Sequence, residues 1–282
     1  MINQIKTVLF LSGLFAVFLL LGYLLGGIGG LTIGFILAFI INFVTYWYSD
    51  KIVLFMYKAK EADKETYNFV YKMLKEITQN ANLPMPKLYI MNSATPNAFA
   101  TGRNPEHAAV ALTTGILDLL EPRELKGVLS HEISHIKNRD ILISTIAAVI
   151  AGAISYIAMI ARFAAIFGGG SNKDGENIFG VLILSILAPI IAMIISLAIS
   201  RSREYLADAT GAGLCKDPNS LADALQKLTA GNKSKPMKNA NPATSHMFIV
   251  TPFSGQSFLT LFSTHPPIQK RIGKLRSMAA NH

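Results

Sequence analysis

The chain has 282 residues, 51% of them hydrophobic and only 15% charged against a usual ~25%, and its mean hydropathy is +0.39. These figures exclude a disordered chain, a collagen-like one and an ordinary soluble enzyme, and they predict a membrane protein that keeps a sizeable polar part. The net charge of +9 concentrates in residues 201–282, where 11 basic residues face 4 acidic ones; the lack of aromatic interleaving there argues against a nucleic-acid platform, and a basic segment fits topology and anionic lipid beside a bilayer.

Residues 7–25 carry no charge, and neither do residues 28–48, which end in the interfacial aromatics Tyr46, Trp47 and Tyr48. Residues 141–161 and 180–200 are apolar as well. Each run is ~20 residues, roughly the 30 Å of a bilayer core when helical, so four transmembrane helices are expected. The first run is long for a signal peptide, lacks an Ala-x-Ala cleavage site and is followed at once by a second run. Twelve basic residues, from Lys6 to Lys216, flank the runs on one side and Lys173 alone on the other. That asymmetry places both termini and both long polar stretches in the cytoplasm. The expected organisation is a hairpin over 1–49, a first catalytic part over 50–140, a second hairpin over 141–200 and a second catalytic part over 201–282.

In the polar parts, Tyr67, Val70, Leu74 and Ile77 recur at helical spacing and predict one amphipathic helix over 58–82. Residues 88–91, 97–102 and 108–113 read as strands, the last two separated by Gly102-Arg103-Asn104-Pro105. Glu121-Pro122 opens a helix expected to run through residue 139 straight into the third apolar run. Residues 201–230 read as helical with a break at Asp217-Pro218, residues 231–245 as loop, and a basic helix follows His265-Pro266-Pro267. The one cysteine, Cys215, excludes an internal disulfide and a cysteine-built zinc finger, and reads as a packed thiol.

Within the helix opened by Glu121 stands His131-Glu132-Ile133-Ser134-His135, an HExxH pattern. Histidines at i and i+4 share a face, so both imidazoles can reach one Zn²⁺, and Glu132 lies where its carboxylate can take a proton from an activated water. Catalytic zinc needs a third protein ligand and an open position. Glu204 is the first candidate, since it lies just past the fourth run, which the second hairpin returns to the membrane face of His135; His265 is the rival. Asp208, one turn beyond Glu204, can accept the outer N–H of a ligating histidine. His107 and His246 are not expected to be ligands.

His131–His135 followed by Lys137-Asn138-Arg139-Asp140, Pro96-Asn97-Ala98-Phe99-Ala100-Thr101-Gly102, and Arg203-Glu204-Tyr205-Leu206-Ala207-Asp208 together resemble the HtpX family. These are heat-shock-linked membrane zinc proteases of bacteria, distantly related to the CAAX prenyl proteases. The resemblance covers nearly the whole chain. It implies an α+β gluzincin-type catalytic domain facing the cytoplasm of the bacterial inner membrane. It also implies one zinc ion on His131, His135 and Glu204, Glu132 as general base, and endoproteolysis of damaged or misassembled membrane proteins. In zincins an edge strand pairs with the substrate backbone; Asn97, Ala98, Phe99, Ala100 and Thr101 are the candidate, with an ordinary core strand as the alternative. His265 can donate to the developing oxyanion. The other functions in view are a CAAX-type protease for prenylated proteins, which would be expected to have more membrane helices, and a channel or zinc-binding scaffold. The apolar runs carry almost none of the polar residues a channel needs. Partners are unfolded or membrane-embedded polypeptides and the bilayer, with no nucleic acid.

Overall fold

The computed structural model describes residues 2–142, 144–147, 150, 201–236, 247–250 and 266–280. The first two apolar runs form helix α1, Ile2–Met56, folded back on itself at Gly26 and Gly27. Gly27 takes φ 57°, which a side chain would resist. Backbone meets backbone at the crossing: a Cβ on Gly30 would collide with the carbonyl of Gly22, and one on Gly34 with that of Phe18. Small residues permit this approach in a bilayer. Asn42 Nδ2 donates across the hairpin to the Leu11 carbonyl at 3.4 Å, so a polar side chain in an apolar span is partnered internally. Gly30→Leu should therefore lower stability in detergent by about 1–3 kcal/mol through overpacking. Gly13→Leu, where a Cβ meets nothing within 4 Å, should leave the melting temperature unchanged. Equal melting of the two variants would refute the crossing.

Among the described residues, the half Gly26–Met56 is the helix long and apolar enough to cross a membrane, with a mean hydropathy of 2.2. It does not stop near residue 48. It continues to Met56 because Val53 and Leu54 find burial there, against Met91, Phe99, Ala111 and Phe248. Trp47 receives Arg103: the guanidinium lies 4.5 Å from the ring centre, and its Nη1 donates to the Trp47 carbonyl. The start of the third run packs Ile146, Ala147 and Ile150 against Leu14 of the hairpin. Residues 151–161 of the third run and all of the fourth, 180–200, lie outside the described residues, so the described part counts fewer than the four spans expected.

The expected helix over 58–82 is divided. Lys60–Glu61 is strand β1, Asp63 closes a turn by accepting from the Thr66 N–H and hydroxyl at 2.7 Å, and α2 covers only Asn68–Ala81. Pairing with the sheet outcompetes helix at Lys60 and Glu61, which align antiparallel with Ile90 and Tyr89. The apolar stripe Val70, Leu74, Ile77 and Ala81 is buried as its spacing demands. Strands β2 (Lys87–Met91), β3 (Ala98–Gly102) and β4 (Ala108–Thr113) complete a sheet of order β1-β2-β4-β3. β2 runs parallel to β4, whereas β3 and β4 form an antiparallel hairpin with Ala98 opposite Leu112. β3 is thus one edge of the sheet and β1 the other.

Behind the sheet come α3 (Thr114–Leu119) and α4 (Pro122–Lys137). α4 starts with a capping box in which the Glu124 carboxylate accepts from the Glu121 N–H at 2.9 Å. It is the central helix, buried along most of its length. α5 (Arg201–Cys215) lies along it, and Gly211 is the reason it can: a Cβ there would stand 2.9 Å from the His131 backbone nitrogen. Asp217 caps α6, accepting from the Asn219 and Ser220 N–H groups, and Pro218 opens that helix. α6 extends through Ser234, four residues past the expected end; residues 237–245 of the expected loop lie outside the described residues. α7 (Ile268–Ala280) packs on α6 and α5, with Arg271 and Leu275 buried.

Candidate metal centre

α4 carries the HExxH face, and its last turn departs from the sequence expectation. The helix ends at Lys137 rather than 139, because Arg139 adopts φ 56°. This left-handed turn brings the Asp140 N–H to the His135 carbonyl at 3.2 Å and sets the Asp140 carboxylate beneath the ring. His135 Nδ1 donates to the two Asp140 oxygens at 3.2 and 3.1 Å. The other histidine has a matching arrangement from a different helix, with His131 Nδ1 3.1 Å from Asp208 Oδ1. The Ser134 hydroxyl ties the two helices by donating to the Ala207 carbonyl.

With both Nδ1 atoms turned to carboxylates, both Nε2 atoms face one point, 3.1 Å apart. Glu204 of α5 closes the group, its Oε2 3.8 Å from His131 Nε2 and its Oε1 3.7 Å from His135 Nε2. One donor atom from each of His131, His135 and Glu204 lies within 4.8 Å of the others. Two imidazoles and a carboxylate, each imidazole fixed by an outer carboxylate, form a donor set suited to a borderline divalent cation such as Zn²⁺.

Glu132 is buried between this group and the sheet. Burial above all pushes its carboxyl up to about 7, with Glu204 adding to the rise and His135, the Ala100 N–H and Arg271 opposing it. Burial also holds His131 below its ordinary value, against the pull of Asp208. For His135 burial acts downward too, but Asp140, Glu204 and Glu132 prevail and lift it to about 10. A dication at this point would lower all three.

The site opens into a cavity walled by Ala100 of β3, by Ile141 and Ser144 at the start of the third apolar run, and by Met247 and Phe248. Of the proposed substrate strand, Ala100 alone reaches this cavity. The outer edge of β3 is largely engaged elsewhere: the Ala98 carbonyl accepts from the Ile249 N–H at 3.2 Å, and the Gly102 N–H approaches Thr145 Oγ1 at 3.4 Å. Asn97 Nδ2 anchors the Val250 carbonyl, Phe99 is packed between Tyr57 and Phe248, and Thr101 bonds Thr145. His265 and His246 lie outside the described residues. His107 sits in the β3–β4 connection, its Nδ1 bonded to Asn104, and Cys215 rests against the Asp217 carbonyl.

Two residues of the site escaped the sequence reading. Asp140 directly precedes the third apolar run, and nothing in the local sequence marks it as a partner of His135. Arg271 is fully buried, donating to both oxygens of Asp208, yet in sequence it is one of several basic residues in its segment. Its only signal was its spacing of four from Leu275 on one helix face.

The family model described as peptidase family M48 matches residues 64–279. Several curated relatives are named "Protease HtpX homolog". That of Desulforapulum autotrophicum is 52% identical over 277 residues, covering 97% of this chain and 89% of the relative. That of Persephonella marina is 53% identical over 281 residues, covering 98% of each. That of Pyrococcus furiosus is 50% identical over 276 residues, covering 98% and 96%. Among solved structures, the crystal structure of S. mikatae Ste24p is similar with a TM-score of 0.52 and 19% identity. The match covers 98% of this chain but 65% of that one, a likeness of fold.

Proposed function

From the premise that this chain belongs to peptidase family M48 and is a membrane metalloprotease, we propose that it is a zinc endopeptidase. It cleaves damaged or misfolded membrane proteins at the cytoplasmic face of the bacterial inner membrane. The observation that carries this reading is the convergence of His131, His135 and Glu204 beside the buried Glu132, at a cavity walled by the first turn of the third apolar run. A zinc ion held by those three residues would supply Lewis-acid polarisation of the scissile carbonyl and of the attacking water. Asp208 and Asp140 keep each imidazole in the tautomer that presents Nε2. Glu132 takes the proton of the attacking water and delivers it to the departing amine. The substrate backbone lies along β3 at Ala100, the part of the Asn97–Thr101 strand that reaches the cavity. His265, three residues before α7, donates to the oxyanion. Orientation is supported by the twelve basic flanking residues on one side of the runs, and polar stretches 50–140 and 201–282 act as one catalytic body because each supplies part of the ligand set. Of the CAAX-type alternative, the fold alone speaks in favour.

The purified full chain in detergent should digest an unfolded membrane protein. It should stop after chelation and dialysis, and recover on addition of one equivalent of Zn²⁺ per chain. Undiminished cleavage after complete metal removal would overturn the assignment.

A further inference from the structure

We propose that Arg271 is a positioning residue of the metal centre, holding the third ligand in place and coupling the docking of the C-terminal helix to metal binding. This rests on the reading of His131, His135 and Glu204 as the ligand set. Arg271 is 0% exposed. Its Nε and Nη2 donate to Asp208 Oδ2 and Oδ1 at 2.8 and 2.7 Å, a two-pronged pair. Nη1 lies 3.4 Å from Glu204 Oε2 and donates to the Ile249 carbonyl at 3.2 Å. Nη2 is 3.4 Å from His131 Nε2. One side chain from α7 therefore touches two ligands, the carboxylate behind one of them, and the segment that walls the cavity.

Burying a guanidinium is costly unless every prong is matched, and the planar fork fits this set where an ammonium could not. Glu204 and Asp208 stand one turn apart on α5, like charges on one buried face. Without the cation between them they repel, and Glu204 loses a partner that fixes its carboxylate.

Two effects of Arg271 on metal binding oppose each other. A fixed cation beside the site repels a dication, so by charge alone its removal would tighten binding. Orientation of Glu204 and of the His131–Asp208 pair works the other way. Loss of such an outer partner typically costs 10–100-fold in metal affinity. We take orientation to dominate, because the guanidinium's charge is already matched by Asp208 and Glu204 at contact distance.

The test measures Zn²⁺ affinity of the full-length chain in detergent by competition with a chromophoric chelator, together with hydrogen exchange of residues 268–280 with and without Zn²⁺. Arg271→Met should bind zinc about 10–100-fold more weakly, and Arg271→Lys should fall between it and wild type. Zinc should slow exchange of α7 in wild type and not in Arg271→Met. Leu275→Ala, one turn along and absent from the lining of the metal cavity, loosens the helix and should change zinc affinity far less. Equal or tighter zinc binding by Arg271→Met overturns the proposal, as does an equal loss in Leu275→Ala. If Arg271→Met fails to fold, wild-type affinity in Arg271→Lys overturns it. Wild-type affinity in Glu204→Gln would sink the ligand assignment itself; loss there with tight binding in Arg271→Met would sink this inference alone.

Discussion

Glu132→Gln should fold, bind one zinc and lose proteolysis by about 10²–10⁴, the usual worth of a positioned proton acceptor. The substitution is nearly isosteric, so the contact of residue 132 with the Ala100 N–H survives through the amide oxygen. What disappears is the capacity to accept a proton near neutral pH. Glu132 is not needed as a ligand, because His131, His135 and Glu204 already supply three donors. Removing a carboxylate that is only 2% exposed should also leave thermal stability unchanged or slightly raised, since burial works against its charge. The readouts are metal content, melting temperature and digestion of an unfolded membrane protein. Near-wild-type cleavage by the zinc-loaded variant would move the base elsewhere. Loss of zinc would make Glu132 structural.

Glu204→Gln should lose zinc to background after dialysis, while Asp208→Asn keeps it with an affinity reduced about 10–100-fold. The two carboxylates stand one turn apart on α5, but only Glu204 lies near both Nε2 atoms, at 3.8 and 3.7 Å. Asp208 meets the opposite nitrogen of His131 and the fork of Arg271. A neutral amide is a poor donor to Zn²⁺, and two histidines alone leave a site that chelator strips readily. Asn at 208 still accepts the imidazole N–H but leaves Arg271 half-matched, so its cost falls on affinity and on the docking of α7. Metal analysis of the three proteins side by side decides the matter. Full occupancy in Glu204→Gln would hand the ligand role to another residue, His265 first.

The features legible in the sequence are those specified by neighbours in the chain. HExxH spacing placed two imidazoles on one face whatever the helix packed against, and the hairpin of α1 followed from two uncharged runs joined by Gly26-Gly27. Strands over 88–91, 97–102 and 108–113 followed from short strand-forming runs bounded by turn residues, and the break at Asp217-Pro218 from a cap and a proline. Glu204 was reachable from the expectation that a second apolar hairpin returns the chain to the face it left.

Tertiary structure decided what depends on distant partners. Lys60 and Glu61 have helical neighbours in sequence, yet become a strand because the edge of β2 offers hydrogen bonds there. α4 stops at Lys137 because the left-handed Arg139 swings Asp140 under His135. The edge of β3 is narrowed to Ala100, since Ile249, 151 positions after Ala98, takes the Ala98 carbonyl. Arg271 reads as one cation among several until α7 docks and brings it to Asp208, 63 residues earlier in the chain. Periodicity records which face of an element is apolar. It does not record which other element will cover that face, and in this protein a buried cation, Arg271, and two carboxylates, Asp208 and Asp140, come to the candidate metal centre only when those faces meet.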